Sequence, residues 1–153
     1  MEKLNNNDYS LIQQAKKAIE KNFDNEGNNI SIGAALRCKN GKVYVGVNMH
    51  FNHGACAEVI AIGSAITDGE REFDCIVAIH GNGEILNPCG NCRQMLSDYA
   101  ADCDVVINTE KGKCKIKAYD LIPYAYTRKS LLGRKMLKLL VREVKKYIDK
   151  DNH

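Results

Sequence analysis

The sequence has no apolar run long enough to cross a bilayer, no internal repeat, no low-complexity tract and little excess of either charge. The first absence excludes a membrane-spanning helix, which needs about 20 consecutive apolar residues. Without repeats or biased tracts, solenoid and linker-rich architectures are excluded as well. Twenty-two Lys and Arg against 19 Asp and Glu leave a formal charge of +3, much of it towards the C-terminal end, which gives no reason to expect a nucleic-acid partner. Residues 1–7 are polar and lack the basic and apolar regions of a secretory leader. An unprocessed, cytoplasmic protein with no membrane partner is therefore expected.

What is plentiful is cysteine. Seven, an odd number, in a chain without an export signal read as reduced thiols, metal ligands or core residues rather than as a disulfide framework. At 153 residues with 44% hydrophobic and 27% charged content, the chain fits one globular domain with a substantial core.

Leu11, Ile12, Ala15, Ala18, Ile19 and Phe23 recur at helical spacing, predicting a helix over 10–23 capped by Asp8 or Ser10. Two strand-like runs, 30–38 and 42–48, flank Lys39-Asn40-Gly41, a hairpin turn signal. Ala57, Ile60, Ala61, Ser64 and Ala65 predict a small-residue helix over 56–67, ended by Asp68-Gly69. A strand over 75–80, a helix over 90–100 and strands over 105–108 and 113–117 complete the pattern. Alternating strands and helices predict an α/β domain with helices on both faces of a mixed sheet.

Chemistry concentrates in two clusters, Cys56-Ala57-Glu58 and Pro88-Cys89-Gly90-Asn91-Cys92, each at the start of a predicted helix. Helix N-termini carry exposed amide donors and partial positive charge, which stabilise thiolates. If the two ends converge, Cys56, Cys89 and Cys92 give three soft ligands, suiting tetrahedral zinc with the fourth position open, as catalytic sites require. Three thiolates on a dication leave a net negative site, and Arg93, next to the last ligand, can offset that charge. Glu58, two residues after Cys56, is placed to move protons without being a ligand.

Cys56-Ala57-Glu58 followed by Pro88-Cys89-Gly90-Asn91-Cys92-Arg93-Gln94 resembles the signature of the cytidine deaminase family, whose zinc and glutamate roles are inherited with the resemblance. Similarity extends to Gly33-Ala34-Ala35-Leu36, Asn48 and Leu121-Ile122-Pro123, and covers roughly residues 8–128. It implies a three-layer α/β/α domain with a mixed sheet of about five strands, one Zn²⁺ per chain, a homotetramer with composite sites, and hydrolytic removal of the 4-amino group of a small cytosine nucleoside. Glu58 would be the catalytic proton carrier, and Asn48, His50, Ala57 and Tyr126 would contact substrate. Cys56 in place of histidine as first ligand resembles the free-nucleoside branch more than the nucleotide or polynucleotide branches.

Within the family the chain is most similar to blasticidin S deaminases. Asn48-Met49-His50 stands where cytidine deaminases usually place Asn-x-Glu to hold the ribose, the 48–56 loop is shorter than usual, and Ile30 replaces a common aromatic. Cytidine and deoxycytidine remain open as substrates. Asn48 can equally tie down a turn, and Tyr124 and Tyr126 can equally pack at an interface. Residues 1–128 form the expected catalytic domain. Over 129–153, Leu132, Met136, Leu137, Leu140, Val141, Val144, Tyr147 and Ile148 form one stripe of an amphipathic helix, expected to dock on the domain or the oligomer. Two other classes fit parts of the pattern: a non-catalytic zinc-stabilised binding module, and a polynucleotide cytosine deaminase that grips its substrate with the basic terminal helix.

Overall fold

The computed structural model describes residues 1–24, 26–27 and 29–127. The chain divides into two units, Met1–Pro123 and Tyr124–His153. The first holds every element described below, and the terminal helix expected over 129–153 lies outside the described residues.

Helix α1 (Asn6–Asn22) is followed by β1 (Ile32–Cys38), β2 (Val43–Val47), α2 (Ala57–Thr67), β3 (Phe73–His80) and β4 (Ile85–Leu86). Then come α3 (Gly90–Tyr99), β5 (Asp104–Thr109), β6 (Gly112–Lys117) and a 3₁₀ turn, Ala118–Leu121. The strands make one six-stranded sheet in the order β2-β1-β3-β5-β6, with β4 added to β3. Only the β3–β5 pair is parallel, so the sheet is mixed, as expected. The two-residue strand β4 and the 3₁₀ turn are not legible in the sequence, because both are shorter than one period of either pattern.

Helix α1 begins earlier than the apolar spacing implies. Asn5 is its N-cap and accepts from the Asp8 amide at 3.0 Å, while the Asp8 carboxylate accepts from the Asn5 amide at 3.0 Å. This reciprocal capping satisfies two otherwise orphaned donors. Asp8, the third residue of the first turn, is thus a partner in the cap and not the cap itself.

Alternation along each strand separates two cores. Ala34, Leu36, Phe73, Ile76, Ala78, Val105 and Ile107 meet α2 and α3 residues Ala61, Ile62, Ala65 and Leu96 on one face. Ala35, Cys75, Val77, Ile79 and Val106 meet Leu11, Ile12 and Ala15 of α1 on the other. The result is the expected three-layer α/β/α arrangement. Glycine sets the spacing of both layers. A Cβ at Gly33 would lie 2.5 Å from the Ala15 carbonyl oxygen, and one at Gly46 would lie 2.5 Å from that of Ala57. Each glycine lets a helix backbone approach a strand more closely than any side chain permits. Gly46 thereby fixes the start of α2.

Candidate active site

Cys56 and Cys89 are the N-cap residues of α2 and α3, and Cys92 is the third residue of α3. Neither helix start receives a side-chain cap, which leaves amide donors at the thiols. The amides of Asn91 and Cys92 donate to the Cys89 sulfur. The three Sγ atoms lie within 4.8 Å of one another, and those of Cys56 and Cys89 are 3.6 Å apart. Cys92 is buried, Cys56 half-buried and Cys89 exposed, so the cluster opens to solvent on one side.

Glu58, in the first turn of α2, is 7% exposed and is hydrogen-bonded to Cys92. It forms one wall of a small pocket otherwise lined by apolar groups, among them Ile76, Ala78, Leu86, Pro88 and Leu96. Burial pushes its carboxyl above the usual carboxylate range, against the opposing pull of its own amide and of Cys92. Burial also raises the Cys92 thiol, and the negative charges of Glu58, Cys56 and Cys89 raise it further. The Cys56 thiol is raised by burial and then by Cys89. Against its own burial, the Cys89 thiol is held below its ordinary value by hydrogen bonds from Cys92 and Cys56 and by the Asn91 amide.

These directions describe a site crowded with potential anions, and among the described residues no ion pair reaches Glu58. A dication is the chemical complement of that set: it permits all three sulfurs to be thiolates at once, releasing their protons. Three convergent sulfurs, with no fourth His, Cys, Asp or Glu grouped with them among the described residues, fit zinc in a site that keeps one position open.

Other predicted residues are placed as follows. Arg93 donates from Nε to the Pro88 carbonyl at 2.8 Å and from Nη1 to the Leu121 carbonyl at 3.3 Å. It braces the turn that presents Cys89. Asn48 is buried, and its Oδ1 accepts from the Ser31 and Ile32 amides at 2.9 and 2.8 Å while Nδ2 donates to the Asn29 carbonyl at 3.1 Å. The turn-tying alternative for Asn48 is therefore realised. His50 is exposed on a loop closed by paired Met49–Ala55 hydrogen bonds of 2.9 Å, immediately before Cys56. Ala57 is fully buried, main chain included. Tyr126 belongs to the second unit. Gly46, which seats α2, is the positioning residue that sequence reading missed; its signal is a lone glycine inside a strand pattern.

Residues 5–109 match the model of the cytidine and deoxycytidylate deaminase zinc-binding region. Over 132 residues the chain is 38% identical to a blasticidin-S deaminase of Bacillus cereus, covering 79% of this chain and 93% of that protein. A cytidine deaminase of Sporosarcina psychrophila is 29% identical over 126 residues, with 79% and 92% covered. The crystal structure of a cytidine deaminase from Burkholderia pseudomallei superimposes with a TM-score of 0.64 at 32% identity, covering 77% of this chain and 98% of that one. A match spanning both cysteine clusters, in a fold shared with a solved deaminase, assigns the chain to the cytidine and deoxycytidylate deaminase family.

Proposed function

We propose that the protein hydrolytically deaminates the cytosine ring of a small nucleoside, with Cys56, Cys89 and Cys92 as zinc ligands and Glu58 as the catalytic proton carrier. The observation that carries this reading is a buried carboxylate in contact with a three-sulfur cluster that is open on one side. Zinc in such a site supplies Lewis acidity that makes water nucleophilic near neutral pH. Glu58 accepts a proton from the attacking water and delivers it to ring N3 as oxygen bonds to C4. A second proton carried by Glu58 reaches the amino group, the C4–N bond breaks, and ammonia leaves a uracil-type product. The raised carboxyl of Glu58 suits a group that must both take and give protons.

Arg93 is proposed to offset the negative charge of the cluster. With its carbonyl oxygen committed to two amides, Asn48 retains one side-chain N–H for substrate. Substrate contact by Ala57 rests on the sequence resemblance. His50 is proposed as a sugar-side contact, supported by its loop leading into Cys56. Substrate contact by Tyr126 rests on the sequence resemblance.

Blasticidin S is the first substrate to test, because the 38% identical relative bears that name and His50 stands in the Asn-x-Glu position. Cytidine or deoxycytidine is the second, favoured by the cytidine deaminase structure at 32% identity. We further propose a cytoplasmic homotetramer. Helix α2 is apolar apart from Glu58 and a few hydroxyl residues, yet leaves Gly63, Ser64 and Thr67 exposed, which suits packing against another copy. The seven free thiols suit a reducing compartment, and no helix among the described residues is long and apolar enough to cross a membrane. The test is the ultraviolet difference spectrum of zinc-loaded protein with blasticidin S, cytidine and deoxycytidine in turn, with Glu58→Gln as control. A change with blasticidin S alone fixes that substrate, and a change with cytidine makes the protein a pyrimidine nucleoside deaminase. Silence on all three with zinc bound overturns the reading in favour of a non-catalytic zinc module.

A further inference from the structure

We infer that Cys56 and Cys89 form an oxidative modification site: a hydroperoxide joins them in a disulfide and releases the metal, while Cys92 stays reduced. The inference rests on the zinc reading above and adds a regulation of the same site. It is carried by distance, exposure and backbone position.

The Cys56 and Cys89 sulfurs are 3.6 Å apart, so a shift of about 1.5 Å brings them to the S–S bond length of roughly 2.05 Å. Exposure separates the three thiols sharply. Cys89 is exposed and Cys56 half-buried, whereas Cys92 is 0% exposed behind them. An oxidant arriving from solvent meets the first two and not the third. Backbone position acts in the same direction. Cys56 and Cys89 sit at N-cap positions with extended backbone, φ −69° and ψ 152° for one and φ −67° and ψ 172° for the other, outside the regular turns of their helices. Cys92 is inside α3 and packed in the protein. The pair is free to approach by side-chain rotation where the third ligand is not.

The chemistry balances with a hydroperoxide as the only co-reactant. The Cys89 thiolate attacks the peroxide, the O–O bond breaks, and a sulfenic acid and hydroxide form. Cys56 sulfur then attacks Cys89 sulfur, the S–S bond forms and the second hydroxide leaves. Two electrons pass from the sulfurs to the peroxide. The crosslinked pair no longer offers thiolates, so the ligand set falls from three to one and the cation is lost. Elsewhere, Cys38, Cys75 and Cys103 are buried, leaving half-buried Cys114, with Met1 Sδ 3.7 Å from its sulfur, as the competing target.

The experiment titrates the zinc-loaded full chain with hydrogen peroxide, following zinc with a chromogenic chelator and mapping crosslinks by peptide mass after alkylation of remaining thiols. One zinc released per Cys56–Cys89 crosslink, an alkylated Cys92, and reversal by dithiothreitol with added zinc are expected, unchanged in Cys114→Ser. A crosslink through Cys92, overoxidised Cys89 without a crosslink, or zinc retained while Cys114 oxidises would overturn the inference. Metal content measured before oxidation tests the zinc reading separately. A chain that never holds zinc fails that reading, and its crosslink map still decides this one.

Discussion

Two carboxylates among the described residues are buried, and their pKa values move in opposite directions. Asp8 is 0% exposed and Glu58 7%, so solvent exposure does not distinguish them. Their partners do. Asp8 receives the Asn5 amide at 3.0 Å, the Arg37 guanidinium at 2.9 Å and the Lys115 ammonium at 3.1 Å. Burial alone would raise its carboxyl, yet these bonds together hold it below the usual range. Glu58 has a thiol and its own amide for company and, among the described residues, no ion pair, and burial carries its carboxyl upward. A carboxylate with cations on hand is finished as structure. One left without them in a pocket beside three thiols is free to exchange a proton, which is the ground for proposing Glu58 as the functional acid.

The comparison also predicts which substitution harms what. Glu58→Gln should lower the turnover of the cytosine nucleoside by about 10²–10⁴-fold, the usual worth of a positioned acid–base group, while zinc content and melting temperature hold. Substantial activity in that variant, with zinc bound, would reverse the assignment. Asp8→Asn should do the converse, costing about 1.5–3 kcal/mol of stability by removing charged hydrogen bonds to Arg37 and Lys115, which keep Asp74 and Asp104 as partners, with turnover of the folded protein unchanged. Urea midpoints and active-site-normalised rates separate the two effects.

Acid exposes the Asp8 half of the contrast. Because the folded pKa of Asp8 lies below its unfolded value, its contribution is fully present above the unfolded pKa of about 3.9 and is lost as pH falls through the lower, folded one. Wild-type stability should therefore fall more steeply below about pH 4 than that of Asp8→Asn. Parallel curves in urea titrations across that window would show that other carboxylates govern acid unfolding.

Much of this was legible before any coordinates. Cys56, Cys89, Cys92 and Glu58 announce themselves because metal ligands and their proton carrier are specified by residue type and spacing, both of which a sequence displays. Strands β1, β3 and β5 were legible from their dense apolar runs. Asp8 was visible only as a possible cap, because its cations come from Arg37 and Lys115, whose closeness to it depends on sheet order. Asn48 shows the same limit: a polar residue after a strand reads as a ligand contact or as a turn tie, and only the structure reveals that its carbonyl is taken by the Ser31 and Ile32 amides. Strand β4 and the 3₁₀ turn are too short to carry a period.

The smallest expected effect tests whether Glu58 and Cys56 depend on their seat as Asp8 depends on its cations. Gly46 faces α2, and a methyl group there would lie 2.5 Å from the Ala57 carbonyl oxygen, 2.7 Å from the Ala61 nitrogen and 2.9 Å from the Ile60 Cβ. Two of those three are backbone atoms, which cannot swing aside as a side-chain tip would. Helix α2 must lift from β2, and its start carries Cys56 and Glu58, the proposed ligand and proton carrier. Gly46→Ala should cost about 1–3 kcal/mol, the range for overpacking a close-packed interior. Because catalysis is sensitive to misplacement by an ångström, turnover should fall by more than that stability loss alone accounts for. A variant that is destabilised but turns over normally when folded would mean that the metal, and not the strand beneath, positions Glu58.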